Sequence, residues 1–157
     1  MSARRAAWVL VVAAAMPSLQ AHACGYHATL PDLAAAHPRS VEVAIAVHDA
    51  HGRGELRALD PMPPALAYLR AARMLRDFQS LVPSLAAQGG SVTLLLVDSG
   101  LWTRYRVSAS GVETSVHVSG PDAGEPVIVT SEAVMRAVLD GVLQAPRAAK
   151  LGLLLVA

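Results

Sequence analysis

The sequence predicts an α+β fold: an antiparallel β meander with helices packed on one face, preceded by a helical N-terminal segment. Three observations predict it. Residues 64–82 repeat apolar side chains at helical spacing, residues 91–118 switch to period two with tight turns, and residues 131–150 return to short capped helices. No internal repeat, low-complexity block or second-domain linker interrupts this order.

The first residues, "MSARRAAWVLVVAAAMPSLQAHA", run from Arg4 and Arg5 through an uncharged apolar block to Pro17 and then Ala21-His22-Ala23. That order reads as a secretory signal peptide, residues 1–23, with small side chains at −3 and −1 of the cleavage site. The block is too short for a membrane span, which needs about 20 apolar residues. The expected compartment is periplasmic or extracellular. Cleavage would leave Cys24 at the new N-terminus. Ala21 at −3 suits ordinary signal peptidase and a soluble product, whereas acylation of the same thiol would give a lipid-anchored one.

Losing Arg4 and Arg5 from the 13 basic side chains leaves 11 against 12 acidic ones, so the exported chain is close to neutral. It carries no block of Lys or Arg, and a nucleic-acid partner is not expected. A single cysteine cannot form an internal disulfide, so the core alone must hold the domain together. About 130 residues suffice for one core. With 54% hydrophobic but only 4% aromatic residues, that core must be built from Leu, Val and Ala.

Residues 24–62 form an N-terminal helical and irregular segment rich in Ala, His, Pro and Gly. In "SVEVAIAVHDAHGRG", Val41, Ala44, Ile45 and His48 recur at helical spacing after Ser40, a good N-cap, while Val41, Val43, Ile45 and Val47 alternate as in a strand. Helix is preferred, because Ala fills the intervening positions and "HGRG" reads as a stop. The main domain, residues 63–157, then opens on Pro63-Pro64, which suit a helix start. Leu66, Leu69, Ala72, Leu75, Phe78 and Val82 are expected on its buried side. Arg70, Arg73, Arg76 and Asp77 would cover much of the other side, as a solvated face or a contact to anionic head groups at a membrane surface.

"SVTLLLV", "LWTRYRVS" and "VETSVHVS" read as a three-stranded meander, separated by Asp98-Ser99-Gly100 and Ser110-Gly111. Arg104 and Arg106 share the parity of Trp102, which predicts one wetter face, with His117 mid-strand on a sheet face. After the loop "SGPDAGEP", "VIVT" is a fourth strand. Ser131 then caps a helix through Leu139 that presents Val134, Met135, Val138 and Leu139 and stops at Gly141. A second short helix starts at Ala145-Pro146 and ends at Lys150, before the apolar strand "LLLVA".

From Gly90 to Val156 this order resembles the SCP2 sterol-carrier-like lipid-binding family. In that family a strand leads to a Ser- or Asp-capped helix, then Gly, a short apolar step, a second helix containing Ala, then Gly and a strand; Ser131, Gly141, Leu143, Ala148 and Gly152 match those positions in order. Trp102 after "DSG" resembles the aromatic that opens the family's second long strand. Cys24 to Pro61 lie outside the resemblance. It implies a non-enzymatic module whose sheet and helices enclose a cavity for an apolar small molecule or lipid. Leu95, Tyr105, Val107, Met135, Leu139 and Leu143 are its candidate lining, with Met135 giving adaptability.

No Gly-rich phosphate loop, Gly-x-Ser-x-Gly elbow, His-Glu-x-x-His or paired-Cys metal motif is present, so neither an enzyme nor a cofactor is expected. Protein partners are not indicated by any motif. His27, His37, His48 and His51 cluster near Cys24 in sequence, and imidazole with thiolate suits Cu(I) or Zn(II). Copper or zinc handling through Cys24 and His27 is therefore the alternative to lipid binding.

Overall fold

The computed structural model describes residues 36–85 and 90–157. The leader, Cys24 and His27 lie outside them. Among the described residues, five helices and five strands follow in the order α1 (Ser40–Gly52), α2 (Pro64–Phe78), α3 (Val82–Leu85), β1 (Gly90–Leu96), β2 (Leu101–Ser108), β3 (Gly111–Val116), β4 (Val127–Thr130), α4 (Glu132–Leu139), α5 (Ala145–Lys150) and β5 (Leu154–Val156). The fold is α+β, and its strands form one mixed sheet in the order β3-β2-β1-β4-β5.

The meander forms as its alternation predicts. β1 pairs antiparallel with β2 and β2 with β3, and Gly100 and Gly111 take the positive φ angles that the tight turns require. β4 lies parallel to β1, pairing Leu94 with Ile128, and β5 closes the far edge antiparallel to β4. Joining the β3 edge to β4 requires the chain to cross β2 and β1. Residues 117–126 make that crossing over the face that bears Ser91 and Arg104. There Arg104 Nη2 donates to the Gly120 carbonyl at 2.9 Å and meets Asp122 and Glu125, both at 3.1 Å.

The expected wetter face is wet only toward the β2–β3 side, where Arg106 and Glu113 are exposed. Toward the centre, Thr93, Leu95, Val127 and Val129 of the same face are buried. On the opposite face Tyr105 is fully buried and its hydroxyl donates to the Leu75 carbonyl of α2 at 2.8 Å. That carbonyl belongs to the last turn of α2, where intrahelical partners run out. Burial raises the Tyr105 pKa, so the phenol stays a donor.

Both N-terminal helices form; α1 buries a different face from the one Ile45 suggests, while α2 buries the expected Ala72, Leu75 and Phe78, with Val82 beyond it in α3, but turns the expected Leu66 and Leu69 outward. In α1 the buried stripe is Val43, Val47 and Ala50, while Ile45 is exposed. Ser40 does not cap it; the hydroxyl is buried without a hydrogen-bond partner, and Arg39 occupies the cap position. In α2 Ala67, Ala71, Met74, Leu75 and Phe78 turn inward, and Leu66 and Leu69 remain 54% and 58% exposed. The inward face is thus built from small alanines together with Met74, Leu75 and Phe78. Val43, Val47, Ala50 and Leu56 join the same core as the sheet, so the segment before residue 63 packs as part of this body, with α1 against β4.

β3 ends before His117. Instead of standing mid-strand, His117 adopts φ 66°, and its N–H and that of Val118 both donate to the Trp102 carbonyl, at 2.9 and 3.1 Å. Two residues opposing one is a β-bulge, which ends the pairing and turns the chain into the crossing loop.

Candidate functional site

α4 begins where β4 ends, and its N-terminus is held by side chains. Ser131 Oγ accepts from the Val134 N–H at 3.2 Å, as the sequence predicts, and the Asp98 carboxylate, on the β1–β2 turn, accepts from the Glu132 N–H. Desolvation of the inward side of Asp98 raises its pKa, against the lowering effect of that N–H, although the residue keeps an exposed flank. These contacts orient α4 so that Val134, Met135 and Val138 enter the core. Ala133, Arg136, Ala137 and Asp140 form a separate stripe at i, i+3, i+4 and i+7.

That second stripe is one wall of a cleft of about 530 Å³. Arg70 and Met74 of α2 form another wall, and residues 55–60 with Met62 form the third. Val142 and Leu143, just beyond the Gly141 stop, complete the lip. The lining is apolar at Leu56, Leu59, Met62, Met74, Ala137 and Leu143, with Arg57, Arg70 and Arg136 and the acids Glu55, Asp60 and Asp140 around it.

The 55–62 wall is shaped by local hydrogen bonds. Gly54 takes φ 70° after α1, the Leu56 N–H donates to the Ala50 carbonyl at 3.3 Å, and His51 Nδ1 lies 2.8 Å from the Leu56 carbonyl. A carbonyl can only accept, so Nδ1 carries the proton, and His51 serves as a structural donor.

Arg70 ties the three walls together. Its Nη1 donates to the Asp60 carbonyl at 2.7 Å, and its Nη2 reaches the Glu132 carboxylate at 3.3 Å; that carboxylate is almost fully buried. Its Nε is buried without a hydrogen-bond partner. Arg136 is held by Asp140 at 2.8 Å and Glu55 by Arg53 at 2.8 Å. Arg57 makes no ion pair among the described residues.

Of the six candidate lining residues, Leu143 borders this cleft. Leu95, Tyr105 and Met135 are packed in the core, Met135 at 1% exposure, and Val107 and Leu139 are half-buried at its margin. The cleft lies along α4 on the stripe next to the predicted one, and it opens between helices and loop, whereas the sequence places a cavity between sheet and helix. Leu56, Leu59, Met62 and Met74 were not read as lining. Their one sequence mark is the apolar run around "DPMPP", which has no periodicity and reads as a lead-in to α2.

Cys24 and His27 fall outside the described residues. Among the described residues no group of three or more His, Cys, Asp or Glu side chains could hold a metal ion, and no helix is long and apolar enough to cross a membrane.

No family model matches the chain, and no curated protein matches it. Among solved structures it is similar, over 44% of its length, to a stereoselective inverting sec-alkylsulfatase from Pseudomonas sp., at 12% identity and a TM-score of 0.39. A double mutant of a sec-alkyl sulfatase aligns with 48% of the chain at 11% identity and a TM-score of 0.41. The chain spans 11% and 12% of the length of those two proteins.

Proposed function

We propose that this chain is an exported, non-enzymatic binding module that holds one apolar molecule, chain-like or polycyclic, in the cleft between α2, α4 and residues 55–62. The observation that carries the reading is the cleft itself: about 530 Å³, walled by Leu56, Leu59, Met62, Met74 and Leu143, with arginines at its margin. Small-molecule sites of this kind are about 300–1,000 Å³, mostly apolar, with a few placed polar groups. The resemblance of the C-terminal half to sterol-carrier-like proteins supports the same reading. Ser131 caps α4, Gly141 and Gly152 adopt φ 71°, and Ala148 is fully buried, as in any pair of short capped helices.

Burying apolar ligand surface contributes about 25 cal/mol per Å², enough for micromolar retention after the costs of association. The test is titration with a fluorescent fatty-acyl probe, read beside the thermal midpoint. Ala137 is half-buried on the lining, so Ala137→Trp should fill the cleft, weaken probe binding at least about tenfold, and leave stability near that of the wild type. Met135→Trp should instead overpack the core and cost about 1–3 kcal/mol of stability. A wild-type protein that binds no probe would end this reading.

A further inference from the structure

Leu66, Leu69, Arg73 and Arg76 follow one another at i, i+3, i+7 and i+10 on α2, and all are exposed. The inward turn of Ala67, Ala71, Met74 and Leu75 creates this stripe, since it leaves the two leucines outside. The stripe starts beside the cleft. Met62, four residues before Leu66 in the non-helical lead-in to α2, is 45% exposed and lines the cleft together with Val142, which is 82% exposed. Arg70, which the sequence groups with the other two arginines, is withdrawn from it by Glu132 and the Asp60 carbonyl. Arg73 and Arg76 make no ion pair among the described residues, and Asp77 is the one acidic side chain of α2.

We propose that this face of α2 docks the protein on an anionic phospholipid bilayer, with Met62, Leu66 and Leu69 entering the head-group boundary and Arg73 and Arg76 meeting lipid phosphates. Exposed apolar tips continuous with unpaired arginines are complementary to such a surface, because the leucines leave water there while the guanidiniums keep charged partners. The docked orientation places the cleft mouth at the membrane, where an apolar ligand can pass between bilayer and cleft without crossing water. This inference rests on the proposed binding function and adds the surface at which loading takes place.

The experiment is sedimentation of the exported chain with vesicles of phosphatidylcholine alone and of phosphatidylcholine with phosphatidylglycerol. The wild type should partition preferentially onto the anionic vesicles and come off as salt shortens the range of the attraction. Arg73→Gln with Arg76→Gln should lower that partition about thirtyfold, from two basic contacts. Leu66→Ser with Leu69→Ser should also lower it on anionic vesicles. Both pairs are exposed, and each should keep the wild-type thermal midpoint. Equal binding to both vesicle types, or either double variant binding as the wild type does, overturns the proposal. So does a concentration-dependent dimer that forms through the stripe in place of vesicle binding. Titration with the fatty-acyl probe in the absence of vesicles reads the cleft alone: retained probe binding with no vesicle binding defeats the docking face only, whereas loss of probe binding defeats the cleft reading.

Discussion

Arg104 Nε lies 3.1 Å from both carboxylate oxygens of Glu125, and the pair pins the crossing loop to the outer face of β2. The Glu125 side chain is 3% exposed and also accepts from Ser91 Oγ and, at 2.8 Å, from the Asp122 N–H. Burial by itself would raise the Glu125 pKa. The hydrogen bonds from Ser91, Asp122 and Arg104 outweigh it, so the value falls from the usual 4.5 to about 2.

A carboxylate whose pKa is lower in the folded state stabilises the fold above its unfolded pKa and loses that contribution as pH falls through the folded one. Glu125→Gln should therefore be less stable than the wild type at neutral pH. The gap should narrow from the usual carboxylate value downward and close at a pH of about 2. Urea unfolding of both proteins across that range measures it; a gap independent of pH would mean that the charge of Glu125 is not what holds the loop.

Tyr105→Phe keeps the ring and removes the donor to the Leu75 carbonyl. The buried carbonyl at the end of α2 loses its partner, and the expected cost is about 1–2 kcal/mol. Because the phenol is buried in the core and does not border the cleft, fatty-acyl probe affinity should stay within about twofold of the wild type. A large loss of affinity at unchanged stability would move the site toward the sheet.

His117 stands at φ 66°, where a side chain costs about 1–2 kcal/mol that glycine avoids. Its ring also meets Tyr68 edge-on at 6.4 Å between centroids. His117→Ala removes the ring and keeps the strain, while His117→Gly removes both. The glycine variant should be the more stable of the two by about 1 kcal/mol, the reverse of the order seen inside a helix or strand. Equal thermal midpoints would show that the backbone relaxes there.

Ser131→Ala should cost about 1 kcal/mol through the loss of the cap on α4, and Asp98→Ala should destabilise through the second N–H. Since both support the wall that carries Ala133 and Ala137, each should weaken probe binding along with the thermal midpoint. Binding that survives a clear fall in stability would separate the cleft from the N-terminus of α4.

Intact mass tests the leader: the exported chain should begin at Cys24, with or without a diacylglycerol-sized addition on its thiol. A protein that retains Met1 after export would remove residues 1–23 as a cleaved signal.

Local chemistry made much of the fold legible. Period-two alternation with glycine turns marked β1 to β3, Pro63-Pro64 marked the start of α2, and Ser131 and Gly141 bounded α4, because each depends on interactions only a few residues apart. The alanine-rich helices were different. Their apolar side chains surround much of the helix, so the sequence could supply a helix without its buried face, and only packing chose Val43, Val47 and Ala50 over Ile45, or Met74 over Leu66 and Leu69. The parallel pairing of β4 with β1 also had no local mark, because the hydrophobic pattern of a short buried strand reads the same in either direction. The cleft was least visible, since its walls come from residues 55–62, α2, α4 and the Val142–Leu143 lip, far apart in the chain. Hydrophobicity states that a side chain prefers to leave water; only the tertiary arrangement decides whether it leaves into a packed core, as Met135 does, or into an open cleft, as Leu143 does.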